Sequence, residues 1–168
     1  FRDGIEALLD HQLTPVVYQP SQVEALASVM RYRVERNASP PGERCAVHLK
    51  IDTGMGRLGV REAELPAMLA ALRNAHELNV TGLMTHLACA DMDQLEPTRQ
   101  QLQRFDAATD TVKRAGFRVK LRHAANSAAM LRVPDAHLDV VRPGIAIFGV
   151  HPCPEFPMEE VAGPKLKP

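Results

Sequence analysis

Tryptophan is absent from this chain of 168 residues, and five phenylalanines and two tyrosines are the remaining members of that class. Charge of either sign in excess is missing too: 20 basic side chains face 20 acidic ones. A neutral chain without aromatic interleaving lacks the electrostatic footprint of a nucleic-acid binder. Cysteine is scarce. Cys45, Cys89 and Cys153 stand far apart with no CxxC pair, which argues against a disulfide framework and fits thiols in a reducing, cytoplasmic setting. No hydrophobic run approaches membrane-spanning length, and no signal segment leads the sequence, so no membrane partner is expected. A GxGxxG fingerprint is missing as well, which weakens a Rossmann reading.

What is present is an alternation of short apolar runs with amphipathic ones. Apolar spacing predicts helices over about 2–11, 20–36, 62–75, 98–115 and 126–131, with Gly116 closing the fourth. Strands are expected at Thr14–Tyr18, 45–51, Val80–His86, Val119–His123 and Leu138–Val141, and a further element is expected to begin within Ile145–Val150. The strand–helix order is that of a parallel α/β sheet with crossovers. A partial (β/α)8 TIM-type barrel fits better than an open sheet, because polar residues end nearly every strand. Five strands cannot close a barrel of eight. Its two outer strands are left to pair with further protein. After His151 the composition turns rich in proline and glutamate, so residues 1–150 read as the barrel part and 151–168 as a linker.

The stretch from His48 to Val60 is the densest signal. It starts as an alternating strand and ends in a turn with Gly54, Gly56 and Gly59, which gathers Lys50, Asp52 and Arg57 at the strand's C-terminal end. Parallel α/β folds bind ligands at that end. Thr85, His86 and Asp91 follow the third strand; His123, Asn126 and Ser127 the fourth; Arg142, Gly144 and Ile145 the fifth. Singly, each has a plain structural reading: Lys50 as a snorkelling side chain, Arg57 as a surface arginine, His86 and His123 as backbone-bonded histidines, Asn126-Ser127 as a helix cap, Arg142-Pro143-Gly144 as a turn. Together they form a candidate anion site, with amides at the start of the 126–131 helix and at Gly144 and Ile145 as donors. A metal fits less well, because the histidines sit on separate strands and Arg57 and Arg142 would repel a cation.

Four of these stretches resemble alanine racemases: His48-Leu49-Lys50-Ile51-Asp52-Thr53-Gly54-Met55-Gly56-Arg57-Leu58-Gly59, Gly82-Leu83-Met84-Thr85-His86-Leu87-Ala88, His123-Ala124-Ala125-Asn126-Ser127-Ala128, and Val141-Arg142-Pro143-Gly144-Ile145 with Gly149. The resemblance implies a dimeric enzyme that interconverts L-alanine and D-alanine with pyridoxal 5′-phosphate, supplying D-alanine for peptidoglycan. It implies a cofactor-binding barrel, of which this chain would hold about strands four to eight, followed by a C-terminal β domain. Carried over, Arg142 faces the pyridine nitrogen with His123 behind it, and His86 packs on the ring. Ser127 and the backbone of Gly144 and Ile145 hold the phosphate. Arg57 lies beside the phenolic oxygen and the substrate carboxylate, and Lys50 matches a lysine that many members carry as a carbamate. Asp52, Met55 and Asn126 support them. Phe148 stands where a tyrosine is common.

Two family residues have no counterpart here. The lysine that holds the cofactor and serves as one base belongs to the first barrel strand, and the tyrosine that serves as the other comes from the partner's C-terminal domain. Tyr18 and Tyr32 lie in the wrong context. The chain therefore reads as an internal piece of a longer racemase, inactive alone and inclined to associate through its open sheet edges. A broad-spectrum amino-acid racemase and a non-catalytic binding module are the alternatives.

Overall fold

The computed structural model describes residues 2–153. Five helices flank a four-stranded, all-parallel sheet in the order β1-β2-β3-β4. The elements run α1 (Arg2–Asp10), β1 (Val16–Val17), α2 (Pro20–Glu35), β2 (Cys45–Lys50), α3 (Leu65–Asn74) after a 3-10 turn at Glu62–Glu64, β3 (Leu78–Met84), α4 (Glu96–Arg114), β4 (Leu121–His123) and α5 (Ser127–Arg132). Two further 3-10 turns, Pro134–Ala136 and Ile145–Phe148, end the described chain. This is the expected partial barrel, and the expected linker lies beyond Cys153, outside the described residues, except for its first three positions.

Alternation along β2 divides the sheet into two faces. Cys45, Val47 and Leu49 are buried towards the helices, where Val17, Ile51, Val80 and Leu83 join the side chains of α2, α3 and α4. Burying one such aliphatic side chain is worth about 1.5–3 kcal/mol, so this layer is the main source of stability. On α4, Thr98, Gln101, Phe105, Thr109 and Val112 are buried at three- and four-residue spacing, the stripe that a helix laid on a sheet must present. The opposite face of β2 carries Ala46, His48 and Lys50. Between Val47 and His48 the register with β3 slips, so that His48 pairs with Gly82 and Lys50 with Met84. His123 then pairs with Met84 from the other side.

The expected strand at Leu138–Val141 is not one. Leu138 takes a positive φ of 47°, which no extended strand tolerates. The segment still runs beside β4, since the Asp139 amide donates to the Arg122 carbonyl at 3.0 Å and the Arg142 amide to the Ala125 carbonyl at 2.9 Å. Yet the Arg122 amide donates to the Asp139 carboxylate at 2.7 Å. A side chain thus occupies the place of a ladder partner. β1 and β4 are also shorter than expected, and β3 begins two residues earlier and stops at Met84. The sheet is consequently open at β1, where Val16 is 38% exposed, while the outer edge of β4 is covered by the irregular 138–141 segment and not by a strand.

Candidate active site

The polar residues converge where the C-terminal ends of β2, β3 and β4 meet. Asp52 shapes the turn after β2. Its carboxylate accepts from the amides of Gly54 at 3.0 Å and Gly56 at 3.1 Å. Burial would raise its pKa, but these amides and that of Met55 outweigh it and hold the group below the usual carboxylate range. The turn closes when the Asp52 amide donates to the Val60 carbonyl at 2.9 Å and the Val60 amide to the Lys50 carbonyl at 2.8 Å. Gly59 makes that closure possible: at its φ of +135° a Cβ would sit 2.5 Å from the Asp52 nitrogen, far inside contact distance. Asp52 and Met55 therefore build the loop that presents Arg57, which is exposed and makes no hydrogen bond or ion pair among the described residues.

A second set of bonds ties this turn to β3 and α4. Thr53 Oγ1 and Thr85 Oγ1 lie 2.7 Å apart, both buried. Gln101 donates to Thr53 Oγ1 and to the His86 carbonyl, and accepts from the Ala88 amide at 2.8 Å. Arg104 donates to the Thr53 carbonyl at 3.2 Å. Sequence reasoning missed Gln101 and Arg104. The available signal was a buried glutamine in the otherwise core-facing stripe of α4.

Arg142 is the most constrained cation of the group. One Nη donates to His123 Nδ1 at 2.9 Å, and the other to the carbonyls of Thr85 at 2.8 Å and Ala124 at 3.2 Å. Three of its five N–H groups are thus committed, which fixes the plane and leaves two for a bound molecule. His123 is buried, and desolvation, the charge of Arg142 and the neighbouring His48 push its pKa down to about 4. It is a neutral ring at physiological pH. His86 is depressed by burial and by Arg142, Arg57 and Lys50. Lys50 is buried, makes no hydrogen bond or ion pair among the described residues, and is lowered by desolvation and by Arg57 and Arg142. Three cations therefore share one mouth, and its nearest acid, Asp52, is engaged by the backbone.

Beside them, Ser127 is buried at the start of α5. Its Oγ accepts from the amides of Gly144 at 2.8 Å and Ala146 at 3.2 Å. A hydroxyl with both lone pairs so occupied is left with its own proton to donate. Asn126 caps the helix: Oδ1 accepts from the Ala129 amide at 3.0 Å, while Nδ2 donates to the Leu87 carbonyl at 3.2 Å. The Gly144 amide is turned onto Ser127, and Ile145 sits at the exposed rim. Asp91 belongs elsewhere, in the loop before α4, where its charge acts on Cys153. A cleft of about 800 Å³ on the outer side, between α3 and α4, does not contain His86, His123, Ser127 or Arg142.

The arrangement is a cationic, hydrogen-bond-donating wall, suited to an anion. Comparison with known proteins gives the same direction. A model of the alanine racemase N-terminal domain matches residues 2–152. The chain belongs to that family. It is 48% identical over 167 residues to an alanine racemase of Sorangium cellulosum, covering 99% of this chain and 41% of that protein. Among solved structures it is similar to an alanine racemase of Streptomyces coelicolor A3(2), with a TM-score of 0.78 and 39% identity over 92% of this chain and 38% of the other. Another is the alanine racemase of Bacillus anthracis with bound L-Ala-P, with a TM-score of 0.78 at 32% identity over 92% of this chain and 38% of that one. The chain spans about two-fifths of the length of the curated relatives that it matches.

Proposed function

We propose that the protein to which this chain contributes interconverts L-alanine and D-alanine with pyridoxal 5′-phosphate, and that these residues form one wall of the cofactor pocket. The observation that carries the reading is the aim of Arg142, held by one histidine nitrogen and two carbonyls with donors to spare. When bound, the cofactor draws electron density from the substrate α-carbon, so that the α-proton can leave. Arg142 faces the pyridine nitrogen. A guanidinium does not release its proton, so Arg142, as a hydrogen-bond donor, would hold that nitrogen without protonating it. Ser127 donates its hydroxyl proton to the phosphate, with the backbone amide of Ile145 alongside, while the Gly144 amide holds Ser127 in place. His86 lies against the ring, and Arg57 meets the phenolic oxygen and the substrate carboxylate. Asp52, Met55 and Asn126 hold these groups in place.

Lys50 is carried as a carbamate in this proposal. Carbon dioxide adds to an unprotonated amine, and the lowered pKa of Lys50 favours that form. The new negative charge would turn repulsion from Arg57 into a charge-assisted pair. Planar density beyond Nζ in a crystal structure is the expected sign, and a bare amine in a well-ordered site would reject it.

The division of labour within the protein is also proposed. Residues 1–150 serve as the barrel part and 151–168 lead towards a C-terminal β domain. The lysine and tyrosine bases come from outside this chain, the enzyme is a homodimer, and the chain alone is inactive. Its product supplies D-alanine for peptidoglycan in the cytoplasm. The deciding experiment assays the full gene product, with and without pyridoxal 5′-phosphate, across a panel of amino acids. Cofactor-dependent racemisation of alanine is expected. Negligible turnover of alanine beside rapid turnover of another amino acid would remove the proposal.

A further inference from the structure

The contacts of Arg142 continue beyond His123. His123 Nε2 lies 2.9 Å from His48 Nδ1, and the two rings stand 4.9 Å apart at 56°. The two histidines are on β2 and β4, with β3 between them. They meet because the residue that pairs with His48 on β3 is Gly82. A Cβ on Gly82 would run into the His48 ring, about 2.5 Å from Nε2. The glycine is thus the gap through which an imidazole reaches across an intervening strand.

Protons along this row can be placed by elimination. Arginine has donors only, so His123 Nδ1 accepts. A neutral imidazole carries its proton on the other nitrogen, so Nε2–H of His123 donates to His48 Nδ1. His48 must then carry its own proton on Nε2. The row has one polarity, from Arg142 through His123 to His48, and the end that cannot deprotonate sets it. The reverse tautomer of His123 would place an N–H against an Arg142 N–H. If His48 offered no acceptor, the buried Nε2–H of His123 would lose its partner and the ring its reason to keep this orientation.

We propose that His48 is a positioning residue for Arg142, fixing the tautomer and orientation of His123, and that Gly82 is the opening in the sheet that allows it. The inference rests on the cofactor reading above, in which the aim of Arg142 sets the state of the pyridine nitrogen. His48 touches neither cofactor nor substrate in this scheme.

The test uses the full gene product and two variants. His48→Asn places an amide oxygen near the position of Nδ1 and keeps the acceptor; His48→Leu fills similar space without one. Nitrogen-15 NMR of the histidine rings in the cofactor-free protein is expected to show bare Nδ1 and protonated Nε2 on both His48 and His123. In His48→Leu this pattern at His123 is lost and kcat falls roughly tenfold or more, the scale of a misaimed orienting group, with pyridoxal 5′-phosphate affinity kept within about twofold. His48→Asn restores both the His123 pattern and kcat. A proton on His48 Nδ1 would overturn the proposal, as would an unchanged His123 in His48→Leu. Equal losses in the two variants, parallel to a loss of thermal stability, would mark His48 as packing only and also overturn it. If the gene product neither bound the cofactor nor racemised alanine, the cofactor reading would fail, while the ring-nitrogen pattern would still decide whether the row exists.

Discussion

Two parts of this molecule are built in opposite ways. The layer between the sheet and α2, α3 and α4 consists mostly of large apolar side chains, among them the fully buried Phe105. The cluster around α5 is mostly alanine: Ala90, Ala124, Ala125, Ala128, Ala129 and Ala136, joined by Leu87, Val133 and Cys153. Small side chains bury little apolar area, so the second region needs another source of order. It has polar pins: the Asn126 cap, the Ser127 bonds to the backbone, the Arg142 fork and Arg132 on the carbonyls of Ala90 and Met92. Its backbone can approach closely because alanine keeps side chains out of the way, and close backbone is what supplies amides and carbonyls to a site. Apolar bulk holds the frame, whereas directed bonds hold the mouth.

The sharpest way to break this contrast is to delete bulk from the frame. Phe105→Ala removes a fully buried ring and is expected to cost about 3–5 kcal/mol, read as a shift of the denaturant midpoint of the full gene product. A loss below about 1 kcal/mol would show that the frame does not depend on that layer. The second effect belongs to the mouth and to acid. His123 titrates near pH 4 in the folded protein, against about 6.5 when unfolded. Between those values the unfolded chain binds the extra proton, so stability is complete above about pH 6.5 and declines as pH falls through 4. The decline amounts to at most about 3–4 kcal/mol, and His48, depressed by burial, adds in the same direction. Denaturant midpoints measured across that range check it; a flat profile would contradict a neutral, buried His123. The smallest effect tests the alanine packing. Ala125→Val adds bulk where the backbone must stay close and is expected to cost about 1–3 kcal/mol, with pyridoxal 5′-phosphate affinity falling further than in a milder frame variant, such as Phe105→Leu, compared at matched stability. Equal affinities would mean that the mouth tolerates bulk as well as the frame does.

The two parts also differed in how well the sequence announced them. The stripe on α4 and the alternation of β2 follow from local periodicity, and both lie close to their expected positions. Nothing local to Gly82 or His48 signals their pairing, because the partner that explains them is 75 positions from His48. Leu138-Asp139-Val140-Val141 carried the alternation of a strand. What local pattern could not reveal was the use of the Asp139 carboxylate as a ladder substitute. Most of the polar residues that end the strands lie at one rim, since parallel strands deliver their C-terminal ends there. The exceptions, Asp91 and the helix-borne Gln101 and Arg104, depend on tertiary contacts that spacing does not encode.

The turn after β2 leaves the sheet at Ile51 and rejoins it at Val60, where the two residues form an isolated parallel bridge. Its ends are therefore clamped by the frame, and its shape is set by Asp52, Gly56 and Gly59 from within. Met55, Arg57 and Leu58 are the positions that neither clamp nor shape it through their side chains. A directed-evolution library aimed at new substrates would vary Leu58, which is exposed at the loop surface, and keep Met55 and Arg57 for the binding roles proposed above. The loop then behaves as a clamped cassette, in which a surface position can change without re-registering a single strand.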